Sequence, residues 1–282
     1  MTALADLLRE PGWSEHAVDR PDGTRLHVGV LGSGPPVVLV HGYGASIAQW
    51  SVVAPALVAA GRTVIAYDHR AHGRSTVGRD GLTGPALFDD LVAVADAYDV
   101  GDATIVGHSM GTFVAMGAMA NPALRARVAG VVLISPETGD VFRGARTAQI
   151  LAPLARAGAL SRLCRSRVVG TRIACQAVGP ATSDAVVEAT RRMLVATPAG
   201  TGPLIGMMAR ESVAAALPAL DRPLTVIWGT ADTTTPRWHA DLVAERAPQA
   251  RLLTLDRVGH MVPWEAHDIV VRETLAVGAG GR

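Results

Sequence analysis

The chain has 282 residues, 49% hydrophobic and 18% charged, enough apolar material for one large domain or one domain with an insertion and too much for a disordered chain. Its 26 basic residues against 25 acidic ones leave a net charge of +1, which excludes nucleic-acid binding through bulk charge. Every basic residue is arginine and lysine does not occur, so a pyridoxal Schiff base, a lysine aldolase, a complete Walker phosphate loop and a Ser-Lys dyad are excluded.

The opening MTALADLLREPGW puts Asp6, Arg9 and Glu10 where a signal peptide would carry its apolar stretch, and no run reaches membrane-spanning length. A soluble, cytoplasmic protein is expected. Residues 25–31 alternate as an early strand, and PPVVLV at 35–40 is a short continuous apolar run of the kind buried on both faces. After a glycine-rich turn, 49–60 reads as helix, 63–67 as strand, 85–98 as helix, 103–106 as strand, 112–120 as helix and 128–134 as strand. Such alternation predicts a mostly parallel sheet flanked by helices. It then stops: from 136 to about 217 only Ala-, Leu- and Arg-rich stretches of helical spacing occur, broken by Gly and Pro. Strands resume at 224–228 and 251–255, and 266–277 is a final helix, with a GAGGR tail expected to fray. The expected organisation is a core from 1–135 and 218–282, interrupted by a helical cap at 136–217. Cys164 and Cys175 are too few for a disulfide framework and lack zinc-site spacing, so two buried thiols are expected.

Between the strand and helix that meet near 107 lies Gly107-His108-Ser109-Met110-Gly111, a G-x-S-x-G match in the strand-turn-helix context that the motif requires. A serine on so tight a turn needs small residues two before and two after it, and its hydroxyl then projects above the sheet edge. Strand 224–228 runs into Gly229-Thr230-Ala231-Asp232, offering a carboxylate, and strand 251–255 is followed by Val258-Gly259-His260, offering an imidazole. Ser109, Asp232 and His260 thus occur in the order of a nucleophile, acid and base. His41-Gly42-Tyr43-Gly44 follows the strand at 35–40, and its turn can aim the Tyr43 backbone N–H, together with that of Met110, at an oxyanion. The His41 ring is expected to brace that turn rather than react.

With these motifs the chain resembles the α/β-hydrolase superfamily over nearly all of 20–277, specifically its capped esterase, lipase and carbon-carbon hydrolase branch. Residues 67–75, YDHRAHGRS, resemble the D-x-R-G-H-G-x-S loop of that family. Two departures stand out: Ala71 replaces the usual glycine, and His267 stands where proline usually follows Glu265 by two residues. The resemblance implies the α/β-hydrolase fold with the cap inserted after the sixth strand, and acyl transfer through Ser109, His260 and Asp232, with no metal, nucleotide or redox cofactor. Ser109, where dehalogenases and most epoxide hydrolases of this fold carry Asp, argues against those activities. The expected substrate is a small-molecule ester or thioester. Hydrolysis of a carbon-carbon bond in a vinylogous diketone is the alternative enzyme reading, a haloperoxidase or perhydrolase activity a side reaction, and a ligand-binding receptor on a hydrolase scaffold the alternative of another class.

Glu137 competes with Asp232 as the acid, since some members place it after the earlier strand. His239 and His267 compete formally with His260, although exposed rings are expected at both. His108 should pack beneath the elbow, and Trp228 and Trp264 should pack in the core. Residues 136–217 carry ten Arg against five acids, with Arg143, Arg146, Arg156, Arg162, Arg165, Arg167 and Arg172 uninterrupted by an acid. They form either a solvated outer face or, if some turn inward or rim the entrance, a site that favours an anionic substrate.

Overall fold

The structure, a computed structural model, describes residues 2–279, and the side chains of all of them except 146–148, 151 and 279. Its centre is β3, Pro36–Val40. Val37 and Leu39 pack into one apolar layer, Val38 and Val40 into the other, and all four are buried. A strand covered on both faces has no solvent side to alternate toward, which is why its sequence is continuously apolar.

Around it runs one sheet of eight strands, with β1 Ser14–Asp19, β2 Arg25–Leu31, β4 Thr63–Tyr67, β5 Ala103–His108, β6 Val128–Ile134, β7 Leu224–Gly229 and β8 Ala250–Leu255. The order is β1-β2-β4-β3-β5-β6-β7-β8; β1 to β2 and β2 to β4 are antiparallel, and the remaining pairs are parallel. From β3 the chain goes outward to β4 and then returns past β3 to β5. That reversal sends successive helices to opposite faces and opens a crevice beyond the carboxyl ends of β3 and β5. Helices Val53–Ala59 and His267–Ala279 cover one face, and Gly84–Ala97, Met110–Ala118 and Arg237–Arg246 the other. Between β6 and β7 stand Arg146–Arg156, Leu160–Cys164, Arg167–Ala174, Asp184–Ala196 and Gly202–Met208.

β1 was not foreseen because it is an almost wholly exposed edge, held by backbone pairing with β2 and lacking an apolar face. The helix expected at 49–60 divides into a 3-10 turn, Ile47–Trp50, and Val53–Ala59. The last helix, expected at 266–277, is His267–Ala279, and a separate short helix, Val262–Glu265, precedes it. Cys164 is buried as expected, but Cys175, at the end of helix Arg167–Ala174, is exposed, and both are free. Of the tail, Gly278 and Ala279 still belong to the last helix, while 280–282 lie outside the described residues. No helix among the described residues is long and apolar enough to cross a membrane.

The loop after β4 is anchored by a fully buried guanidinium. Arg70 Nε and Nη2 donate to the two oxygens of Asp90, each at 2.7 Å, while Nη1 donates to Asp22 Oδ2 at 3.1 Å and to the Gly81 carbonyl at 2.8 Å. A buried cation is tolerable only when paired and hydrogen-bonded in this way. The next residue, Ala71, has φ 65°, a left-handed conformation in which a Cβ is strained and glycine is not. Ala71→Gly should therefore stabilise the protein by about 1 kcal/mol, a rise of roughly 2 °C in Tm. Thermal unfolding of the two proteins side by side checks this.

Candidate active site

Ser109 is the single residue between β5 and helix Met110–Ala118, with φ 53° and ψ −122°. The strain is held by close packing on either side. A Cβ on Gly107 would lie 2.7 Å from the Gly111 carbonyl oxygen, and one on Gly111 would lie 2.1 Å from the Val40 carbonyl oxygen. Neither position has room for any side chain. Ser109 N–H donates to Ile134 O at 2.9 Å, so the turn is also fastened to β6.

Asp232, just past β7, and His260, in the loop after β8, meet with Nδ1–H donating to Asp232 Oδ2 at 2.9 Å. The other carboxylate oxygen accepts from Thr234 N–H at 2.8 Å and Thr235 N–H at 2.9 Å, and Thr235 Oγ1 donates to Oδ2 at 2.7 Å. Burial opposes ionisation of Asp232, but the His260 charge and these donors outweigh it and pull its pKa down from 3.8 to about 2. The His260 backbone is held by its N–H to Ala177 O at 2.9 Å and by its carbonyl, which accepts His108 Nε2–H at 2.9 Å. Among the described residues the Ser109 hydroxyl makes no hydrogen bond with the His260 ring; such bonds are commonly long in ligand-free sites and tighten with substrate.

The turn at 41–44 is fixed by three buried histidines. His41 Nδ1–H donates to Gly42 O at 2.7 Å and its Nε2 accepts from His69 N–H at 3.0 Å, while His69 Nε2–H returns to His41 O at 2.9 Å. His72 Nε2 accepts the Gly44 amide at 3.0 Å and its Nδ1–H donates to Arg70 O at 3.1 Å. Burial depresses all three pKa values, that of His69 to about 3 and that of His72 to about 4, so the rings stay neutral and their donor and acceptor roles stay fixed. Gly42 N–H is satisfied by Gln49 Oε1. Among the described residues the Tyr43 and Met110 amides have no protein acceptor, while those of Gly42, Gly44, Ser109 and Thr112 are engaged.

Ser109, His260, Tyr43 and Met110 line one cavity of about 180 Å³. The rest of its wall is overwhelmingly apolar and comes largely from the segment between β6 and β7, including Ala152, Leu160, Ile173, Met193, Ile205 and Met208. No arginine lines it among the described residues. Arg143, Arg156, Arg162, Arg165, Arg167 and Arg172 are exposed, and the Arg146 side chain lies outside the described ones. The inward-facing alternative for these arginines is thus corrected, among the described residues, to a solvated outer face. The helical period decides it: in Arg167–Ala174, Gly170 and Ala174 are buried and the arginines point away.

Glu137 lies in the same cavity wall but faces His239, whose Nε2 is 3.5 Å from Glu137 Oε1, and not His260. His239 is fully buried, contrary to the exposed ring expected from sequence, because its Nδ1 accepts the Thr138 amide at 3.1 Å. His267 is half-buried and stands apart from the cavity. Trp228 and Trp264 are buried, and each ties a loop: Trp228 Nε1–H donates to Thr235 O at 2.9 Å and Trp264 Nε1–H to Gln49 O at 2.8 Å. Three supporting residues have no individual mark in the sequence: Thr235, which donates to the Asp232 carboxylate, His72, which holds the turn, and Thr201, whose Oγ1 donates to the Tyr43 hydroxyl at 3.1 Å. Single hydroxyls and imidazoles carry no periodic signal, and the YDHRAHGRS motif was the only pointer to His72.

The two carboxyls bias stability with opposite signs. Asp232 ionises more easily folded than unfolded, so its contribution, about 2 kcal/mol, is complete above about pH 4 and lost as pH falls through about 2. Burial, with Asp140 and Asp232 adding to it and the Gly139 N–H opposing, raises the Glu137 pKa from 4.5 to about 8. The folded state then keeps a proton that the unfolded chain releases, and stability declines as pH rises across that interval. Glu137→Gln should gain stability relative to the parent as pH rises from 4.5 to about 8, whereas the penalty of Asp232→Asn should shrink toward pH 2. Urea unfolding of the three proteins across pH measures both trends.

The chain is 31% identical over 248 residues to the dihydrolipoyllysine-residue acetyltransferase component of the acetoin cleaving system of Pseudomonas putida, covering 86% of this chain but only 63% of that protein, less than two thirds of its length. It is 28% identical to the rhodomycin D methylesterase of a Streptomyces species, covering 83% of this chain and 87% of the relative. In fold it matches an esterase from Exiguobacterium antarcticum with a TM-score of 0.80 over 93% of this chain and 98% of that one; at 19% identity this likeness concerns the fold alone. The model of the alpha/beta hydrolase family matches residues 37–273, and the chain belongs to that family.

Proposed function

We propose that the protein is a serine hydrolase that cleaves an uncharged carboxylic ester or thioester through an acyl-enzyme, with residues 136–217 acting as a cap that supplies most of the substrate wall. The observation that carries it is the meeting, in one apolar cavity, of a strained serine, an Asp-paired imidazole and two amides without acceptors. Relationship to a protein named a methylesterase supports the ester class.

In this mechanism Ser109 Oγ attacks the carbonyl carbon and its proton passes to His260 Nε2. Asp232 holds Nδ1–H, fixing the tautomer, and stabilises the imidazolium. The carbonyl oxygen, now negative, takes the Tyr43 and Met110 N–H groups, which are already oriented and cost no rearrangement. His260 returns the proton to the departing alcohol or thiol, and water repeats the sequence to release the acid. The cap touches both the 41–44 turn and the His260 loop. Thr201 meets the Tyr43 hydroxyl, and the Ala177 carbonyl receives the His260 and Met261 amides at 2.9 and 3.2 Å.

A fluorophosphonate probe should label the protein and fail to label Ser109→Ala, and turnover of p-nitrophenyl esters should fall by at least about ten-thousandfold in that variant. Absence of both labelling and turnover in the parent, across a chain-length series, would sink the proposal. A carboxylate placed in this cavity finds no arginine among the described residues and meets an apolar wall. The half-ester of a dicarboxylic acid should accordingly be cleaved at least about tenfold less efficiently than its neutral isostere. Added salt should leave the KM values of both in the same ratio, which steady-state kinetics at low and high ionic strength would test.

A further inference from the structure

One polar side chain in the cavity wall has no part in the proposed acyl transfer. Glu137 is nearly as buried as the core, with a side chain 6% exposed, and it lines the cavity with Ser109. Its backbone is tied to the nucleophile's turn: Glu137 N–H donates to Thr112 Oγ1 at 2.8 Å, and that hydroxyl donates to Ser109 O at 2.6 Å. The loop holding it is stiff. Ser135 has φ 48°, a Cβ on Gly139 would lie 2.2 Å from the Glu211 carbonyl oxygen, Val213 N–H donates to Thr138 O at 3.1 Å and Asp140 N–H to Met208 O at 2.9 Å. Glu137 Oε1 accepts the Gly139 amide at 2.9 Å and faces His239 Nε2. Oε2 has no partner among the described residues and is not sealed from the cavity.

From this geometry we propose that Glu137 is a carboxylic-acid hydrogen-bond donor in the substrate cavity, its Oε2–H reading a neutral acceptor oxygen, a ketone, ether or hydroxyl, on an otherwise apolar substrate. The inference rests on the ester-hydrolase reading of the same cavity and narrows its substrate class. The proton belongs on Oε2 because Oε1 already accepts a hydrogen bond. An unpaired carboxylate in an apolar pocket is costly, whereas a neutral carboxyl can donate. The titratable groups facing it are Asp140 on its own loop, His239 from helix Arg237–Arg246, and Asp232 and His260 at the site. Burial keeps His239 neutral, at about 3, and the two aspartates oppose a further negative charge. No arginine lines the cavity among the described residues to favour the carboxylate.

The test pairs a p-nitrophenyl heptanoate with analogues carrying one keto group moved a carbon at a time along the acyl chain, assayed on the parent, Glu137→Gln and Glu137→Leu. The parent should prefer one keto isomer to the plain chain by about tenfold in kcat/KM. Glu137→Gln, which keeps a donor of the same shape, should retain most of that preference, and Glu137→Leu should lose it. In the parent the preference should decay as pH rises through about 8, and in Glu137→Gln it should not. Calorimetry of the matching keto and plain amides with Ser109→Ala, alone and combined with Glu137→Leu, measures the same preference without turnover. No ester hydrolysis with the amide preference intact would overturn the ester reading alone. An undiminished preference in the leucine variants, no preference by either method, or no protonated-carboxyl infrared band at neutral pH that Glu137→Gln abolishes would overturn the role of Glu137.

Discussion

The close approach between the start of helix Met110–Ala118 and the end of β3 governs this molecule. Gly111 lies against the carbonyls of Val40 and His41, so the end of β5 and the end of β3 are locked at one spacing. From that contact follow the left-handed backbone of Ser109, the release of Met110 N–H at the first position of a helix, where no intrahelical acceptor exists, and the arrival of the 41–44 turn beside it. The backbone strain at Ser109, of order 1–3 kcal/mol for such a conformation, persists because β5, β6 and β3 over-determine it. The proposed nucleophile and both proposed oxyanion donors are thus products of one packing constraint.

Around that contact the polar groups are arranged to stay in one protonation state. Four imidazoles, His41, His69, His72 and His108, are buried and held neutral, so each ring presents one donor and one acceptor and can act as a strut. His108 supports the backbone of His260 from below the elbow. Glu265 secures the same loop by accepting the Gly259 amide at 3.1 Å and the Gly179 amide at 2.7 Å. The segment between β6 and β7 is consequently fastened to the loop that carries the proposed base, and its position and that of the imidazole are coupled.

Charge and apolar surface are separated within that segment. Arg143, Arg156, Arg162, Arg165, Arg167 and Arg172 lie outward and its Ala, Leu, Ile and Met side chains close the cavity. A linear surplus of arginine cannot disclose this, because each short helix exposes one side and buries the other. The same separation leaves Glu137 as a polar group in an apolar wall, where burial favours the neutral acid. An uncharged substrate with a single polar feature matches such a wall better than an anion does.

The sequence by itself determined the sheet, the positions of its buried strands and the family. Continuous apolar runs such as Val37–Val40 can be satisfied only between two layers, and G-H-S-M-G between a strand and a helix permits few backbone solutions. It also marked Ser109, Asp232 and His260, since each follows a strand end where side chains collect at the crevice. It did not disclose edge strand β1, which is exposed and paired through its backbone, nor the burial of His239, nor which way the arginines face. It favoured Asp232 over Glu137 as the acid, but could not say what either carboxyl touches. The tertiary structure places Asp232 against the His260 ring at 2.9 Å and Glu137 against Gly139 and His239. The physical reason is that strand ends and apolar runs are local properties, whereas the imidazole that a carboxylate faces is brought by another element, 28 residues away for Asp232 and about 100 for Glu137, which arrives only after the sheet has formed.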